Sequence, residues 1–114
     1  MVVKFRHVFY FKSYFRDFLD AQRPKVAKKI FWTLDFIETT EVVPKQYLKS
    51  VEGADGLFEV RVMWASDIFR IFCFFDEGRL VVLTNGFQKK SQKTSRREIE
   101  RAERIREEYY NEKE

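Results

Sequence analysis

The stretch GFQKKSQKTSRREI, residues 86–99, holds five cations and one acid. From Lys89 to Arg106 eight cations (Lys89, Lys90, Lys93, Arg96, Arg97, Arg101, Arg104, Arg106) face three acids. Such a basic stretch attracts polyanions. From charge alone, a solvated helix face is the alternative. Two further cations, Arg61 and Arg70, stand inside apolar runs, LFEVRVMW (57–64) and IFRIFCFF (68–75). Guanidiniums and ammoniums meeting on one surface suit a phosphate, which accepts charge-assisted bonds from both. Like charges side by side in a sheet repel, so an anion must offset them. Glu59 stands two residues from Arg61. A structural cluster of Glu59 with both arginines is therefore the competing reading.

Other chemistries have less support. His7 is the sole histidine and Cys73 the sole cysteine. A zinc site of the usual composition is thus not available, and Cys73 within IFRIFCFF reads as a buried apolar thiol. His7 reads as a core or edge histidine. No phosphate-cradling or dinucleotide-binding glycine motif occurs, so no cofactor is expected. Asp76-Glu77 reads as turn chemistry. The N-terminus carries Lys4, Arg6 and His7 within its apolar stretch, a poor signal peptide. No apolar run approaches the roughly 18 residues of a membrane span. A reducing cytoplasm and no membrane partner are the expectation.

The elements that must hold these cations follow from periodicity. The chain has 114 residues and a net charge of +4, and reads as one domain, 1–114. Residues 2–11 alternate as a half-buried strand. Ser13 can cap a short helix burying Phe15, Phe18 and Leu19. Pro24 ends it and starts another, with Val26, Ile30, Leu34 and Ile37 on one stripe, widened by Ala27 and Phe31. Residues 41–56 read as loop. Three strands follow (57–64, 68–75, 79–87), joined by short turns as an antiparallel meander. Ser95 with Glu98 matches a capping box, and Ile99, Ala102, Ile105 and Tyr109 form the seam of a last helix. The expected fold is α+β, ordered β-α-α-β-β-β-α.

Two-residue loops at Ser66-Asp67 and Glu77-Gly78 would sort the sheet into two faces. Phe58, Val60, Val62, Trp64, Phe69, Ile71, Cys73, Phe75, Leu80 and Val82 would pack on the first two helices. Glu59, Arg61, Met63, Arg70, Asn85, Phe87 and Lys89 would take the other face, beside Phe72, Phe74, Val81 and Leu83. A slip by one residue would bury an arginine under the helices, at high cost. Arg61 and Arg70 then become diagonal or near neighbours, with Asn85 facing Arg70 and Lys89 and Lys90 arriving at the same end.

The strands GLFEVRV and IFRIFCFFDEGRLVVL, and above all NGFQKKSQKTSRREIERA, resemble the RelE/ParE toxin superfamily, most closely its HigB-like, phage-associated branch. The resemblance runs from about Lys4 to Tyr110. It departs at Ser95, where relatives often have proline, and at Ala65-Ser66-Asp67, where they often have glycines. It implies a small antiparallel sheet with two N-terminal helices on one face and a C-terminal helix. It also implies a type II toxin that cleaves mRNA in the ribosomal A site, restrained by a cognate antitoxin. By motif position Arg61, Arg70, Lys89, Lys90 and Lys93 become catalytic candidates. Glu59 is an alternative base, because a free lysine is a poor one. Asn85 and Phe87 could position or stack an RNA base, and Arg96 and Arg97 belong to the RNA-binding stretch. Operator DNA would be reached only through an antitoxin complex, since no helix-turn-helix signature occurs. A gyrase-inhibiting toxin of ParE type and an inactive nucleic-acid-binding relic are the alternatives.

Overall fold

The computed structural model describes residues 2–90 and 95–113. Its elements are β1 (His7–Tyr10), α1 (Tyr14–Asp20), α2 (Pro24–Thr39), β2 (Leu48–Ser50), β3 (Leu57–Trp64), β4 (Asp67–Asp76), β5 (Leu80–Gln88) and α3 (Arg96–Lys113). The expected α+β architecture is present, with the five strands ordered β1-β5-β4-β3-β2.

Two expectations about the sheet fail. It is mixed, because β1 runs parallel to β5. The chain leaves β1 through α1 and α2, and a helical crossover of this kind is what parallel strands require. The supposed loop 41–56 also contains a strand, β2, which pairs antiparallel with β3 and sets Lys49 opposite Glu59. Three residues are too few for alternation to register. β1 is also shorter than residues 2–11. Arg6 is drawn to the end of α2 instead, donating to the carbonyls of Ile37 and Thr40, which a helix C-terminus leaves without intrahelical donors, and to that of Glu41 just beyond.

Pro24 opens α2, as its fixed φ favours. The helix buries Val26, Ile30, Thr33, Leu34 and Ile37, while Phe31 remains exposed, so the buried stripe is narrower than predicted. Ser13 sits at the start of α1, but its side chain makes no capping bond. One core lies between the sheet and these helices, around Phe15, Ile30, Ile37, Val60, Ile71 and Cys73. A second lies on the other face, where Leu57, Phe72, Phe74 and Val82 meet Ile99, Ala102 and Ile105 of α3. Burial pushes the Cys73 thiol up to about 12, which suits an inert core group.

Both hairpins differ in detail from two-residue loops at the expected places. Trp64 pairs with Asp67, so the first loop is Ala65-Ser66. This slides β4 by two residues along β3 and leaves every side chain on its predicted face. Arg61 thereby lies directly opposite Arg70. In the second hairpin Asp76 pairs with Leu80, leaving Glu77, Gly78 and Arg79 in the loop. Glu77 and Gly78 have φ of 52° and 79°, and three-residue loops commonly include such a left-handed position. The extra residue turns Val81 and Leu83 toward α1 and α2, and Leu80 and Val82 toward α3, reversing the expectation for these four.

A β-bulge then reverses the sides again. Pairing shifts from Cys73 with Leu83 to Ile71 with Gly86, one residue more on β5 than on β4. Within it, the Thr84 hydroxyl donates to the Phe72 carbonyl at 3.0 Å. Phe87 rather than Asn85 therefore sits opposite Arg70. Gly86 faces α1, where a Cβ would come within 2.5 Å of the Phe18 ring.

Candidate phosphate-binding cleft

The bulge decides where the cations of β5 point. Had β5 continued with the parity of Leu80 to Leu83, Lys89 would face α1. With the extra residue it faces the α3 side, and its N–H donates to the Ile68 carbonyl at 2.7 Å. There a cleft of about 490 Å3 opens between the end of the sheet and the start of α3. β2 contributes Lys49 to its lining, β3 Glu59 and Arg61, β4 Arg70, the end of β5 Lys89, and the first turn of α3 Arg96.

Arg70 and Glu59 form the floor. Both side chains are buried, and Arg70 Nε lies 2.9 Å from Glu59 Oε2. The competing structural reading thus describes part of the cluster: one arginine has a carboxylate beside it. Arg61 is less buried, and its Nε has no hydrogen-bond partner among the described residues. Burial is the main cause that lowers the Arg70 pKa, with Arg61 adding to it and Glu59 opposing. A guanidinium stays charged in any case. Lys89 is lowered from its ordinary value of 10.5, first by loss of solvent and then by Arg70 and Arg61, with Glu59 opposing. Two acids, the buried Glu59 and the exposed Glu52, therefore meet five cations in a partly dry cleft, an arrangement whose positive excess attracts an anion and makes a lysine a better base than it is in water.

The remaining predicted residues divide. Arg96 lines the cleft and lies 3.8 Å from Glu100. Arg97 is exposed on the first turn of α3, and Lys90 is exposed just past β5; neither is among the residues lining the cleft. Lys93 lies outside the described residues. Phe87 is half-buried, its ring edge-on to Phe72 at 5.1 Å. Asn85 is buried rather than offered to a ligand. Its Nδ2 donates to Glu98 Oε1 at 2.9 Å and to the Glu98 carbonyl at 3.2 Å. The geometry makes it a fastener between β5 and the start of α3. Glu98, expected in a capping box with Ser95, thus accepts from Asn85, while Glu98 N–H donates to the Ser95 carbonyl at 3.1 Å. Lys49 can be read from the sequence as able to touch RNA, but within a supposed loop 41–56 a solvated position is the safer reading; the structure sets it and Ser50 in the cleft lining.

Among the described residues no cluster of His, Cys, Asp and Glu could hold a metal ion, and no helix is long and apolar enough to cross a membrane.

A mixed sheet between two helical layers, with a cationic cleft at the end of its α3 face, makes this a small α+β protein. The model of the family Phage derived protein Gp49-like (DUF891) matches residues 17–107, and the chain belongs to that family. The family is associated with RelE-like toxins of toxin–antitoxin systems, which implies an antitoxin partner. The match begins within α1 and spans every residue that lines the cleft. No curated protein matches the chain.

Proposed function

We propose that the protein is a HigB-like, ribosome-dependent endoribonuclease that cleaves mRNA and so arrests translation, acting in the cytoplasm and restrained by its antitoxin. The observation that carries this reading is the direct pairing of Arg61 with Arg70 beside Lys89, on the sheet face away from α1 and α2. In the reaction the ribose 2′ oxygen attacks the adjacent phosphorus and the bond from phosphorus to the 5′ oxygen breaks. The products are a 2′,3′-cyclic phosphate and a 5′-hydroxyl. Negative charge gathers on the phosphoryl oxygens, and preorganised cations aimed at it are often the largest catalytic contribution.

Arg61, which lines the cleft and is the less buried of the two arginines, is the group to meet those oxygens, and Arg70 adds its field from the floor. Lys89, with its lowered pKa, takes the 2′ proton as general base. Glu59 fits that task less well, because its carboxylate lies against Arg70. Lys90, Lys93 and Arg97 remain candidates for holding the RNA or protonating the 5′ oxygen. A lysine base is mostly protonated at neutral pH, so the free enzyme should be slow. Orientation of the substrate on the ribosome is a remedy of sufficient size.

A gyrase-inhibiting toxin would have little use for cations gathered over the sheet. The test adds purified protein to a translation extract and, separately, to gyrase with supercoiled DNA. Cleaved mRNA with intact DNA is the expected result. Trapped DNA breaks with intact mRNA would replace this reading by the gyrase one.

A further inference from the structure

A second cavity, of about 460 Å3, adjoins the cleft and is lined by Lys45, Gln46, Lys49, Ser50 and Arg61. Lys49, Ser50 and Arg61 line both cavities, so the two lie side by side at the β2 edge of the sheet. The first is floored by the Glu59–Arg70 pair; the second has no carboxylate in its lining. The wall is built rather than loose. Tyr47 N–H and Leu48 N–H both donate to the Pro44 carbonyl, at 3.0 and 3.2 Å, closing a turn that projects Lys45 and Gln46. The Tyr47 carbonyl accepts from Arg61 N–H at 2.9 Å, tying that turn to β3. The Tyr47 ring packs against Phe36 at 4.9 Å and Trp32 at 6.1 Å, which anchors it to α2.

We propose that this second cavity is a subsite for a further phosphate of a single-stranded nucleic acid, so that the strand leaves the cleft over β2 between Arg61 and Lys45. The inference rests on the cleft being a phosphodiester site and extends it by naming the path and the form of the substrate. Lys49 bridges the two positions, Lys45 neutralises the outer phosphate and Gln46 offers it an amide N–H. Two adjoining cation-lined positions suit successive phosphates of one flexible strand.

The test measures binding at low salt by fluorescence anisotropy, with two labelled, uncleavable probes: a deoxyuridine dimer with one phosphodiester and a deoxyuridine hexamer. The variants are Lys45→Ala with Gln46→Ala, both exposed positions, and Arg61→Ala. The pair Lys45→Ala/Gln46→Ala is expected to weaken hexamer binding several-fold and leave the dimer unchanged. It should also lower the slope of log affinity against log salt by roughly 0.7, the loss of one phosphate contact on a single strand. Arg61→Ala is expected to weaken both probes. A hexamer indifferent to Lys45→Ala/Gln46→Ala but sensitive to Arg61→Ala would overturn the second subsite and leave the cleft standing. A hexamer that the unaltered protein does not bind, or that is indifferent to all three changes, would overturn the subsite and the cleft together.

Discussion

Arg61 and Arg70 are paired in the sheet yet differ in what their loss would do. Removing Arg70 leaves the Glu59 carboxylate buried without its ion-pair partner, and breaking a buried pair in this way costs about 3–5 kcal/mol. Arg70→Ala should therefore show a large fall in the urea midpoint as well as lost toxicity. Arg61 is more open to solvent, and Arg61→Ala should stay within about 1 kcal/mol of the unaltered protein while losing cleavage. Chemical denaturation and a cleavage assay on the same preparations check both.

Lys89 gives a pH test at the same scale. A lysine base works deprotonated, so cleavage should rise with pH and level off below 10.5, its ordinary value. Lys89→Arg keeps the charge but cannot give up its proton, and should lose that rise. The shared face of Arg61 and Arg70 was legible in the sequence, because polar residues interrupting apolar strands must take the open face; Phe87 and Lys89 reach the expected face only because the three-residue loop and the bulge offset each other. Asn85 was not legible. Its alternation suggested exposure, whereas the bulge and the start of α3 bury it, and neither leaves a period in the sequence.

At the level of elements, α3 is both a wall of the cleft and a lid on the second core. Its far end is held by two polar clasps. Tyr109 hydroxyl and Lys113 Nζ each donate to Asp76 Oδ2 at 2.7 Å. Lys12 Nζ and Tyr14 hydroxyl donate to the two oxygens of Glu108, and Lys12 also meets Glu112. Lys113 first and then Tyr109 lower the Asp76 pKa from 3.8; Lys12 first and then Tyr14 lower Glu108 from 4.5. Groups lowered on folding stabilise fully above their unfolded values and lose that contribution as pH falls through the folded ones. Amide exchange over Arg96–Lys113 should accelerate relative to the sheet as pH falls below about 4. Asp76→Asn with Glu108→Gln should remove that dependence.

Gly86 tests the bulge and α1. Gly86→Ala must displace the Phe18 ring and should cost roughly 1–3 kcal/mol, as overpacking does, read as a lower thermal midpoint. The helices and the three long strands were evident from their periods. The parallel placement of β1 was not, since it depends on where the crossover returns the chain. β2 was too short to carry a period, so Lys49 read as part of a solvated loop rather than of a cleft wall.

For the molecule as a whole, a net charge of +4 is modest, and its placement matters more than its size. Cations gather where the sheet ends and α3 begins, and membership of the Gp49-like family sets that cleft in the context of a toxin with an antitoxin. The faces of β3 and β4 could be sorted from the sequence because an arginine buried under the helices is costly, whereas the first half of β5 could not; the Glu59–Arg70 pair could not be foreseen as one partner of two, because register decides it. The most direct test of the central claim maps mRNA 5′ ends after brief induction of the unaltered protein and of Arg61→Ala at equal soluble level. New 5′-hydroxyl ends within coding regions, absent from Arg61→Ala, are the expected result. Growth arrest with an unchanged map of 5′ ends, or identical cleavage by both proteins, would contradict the account.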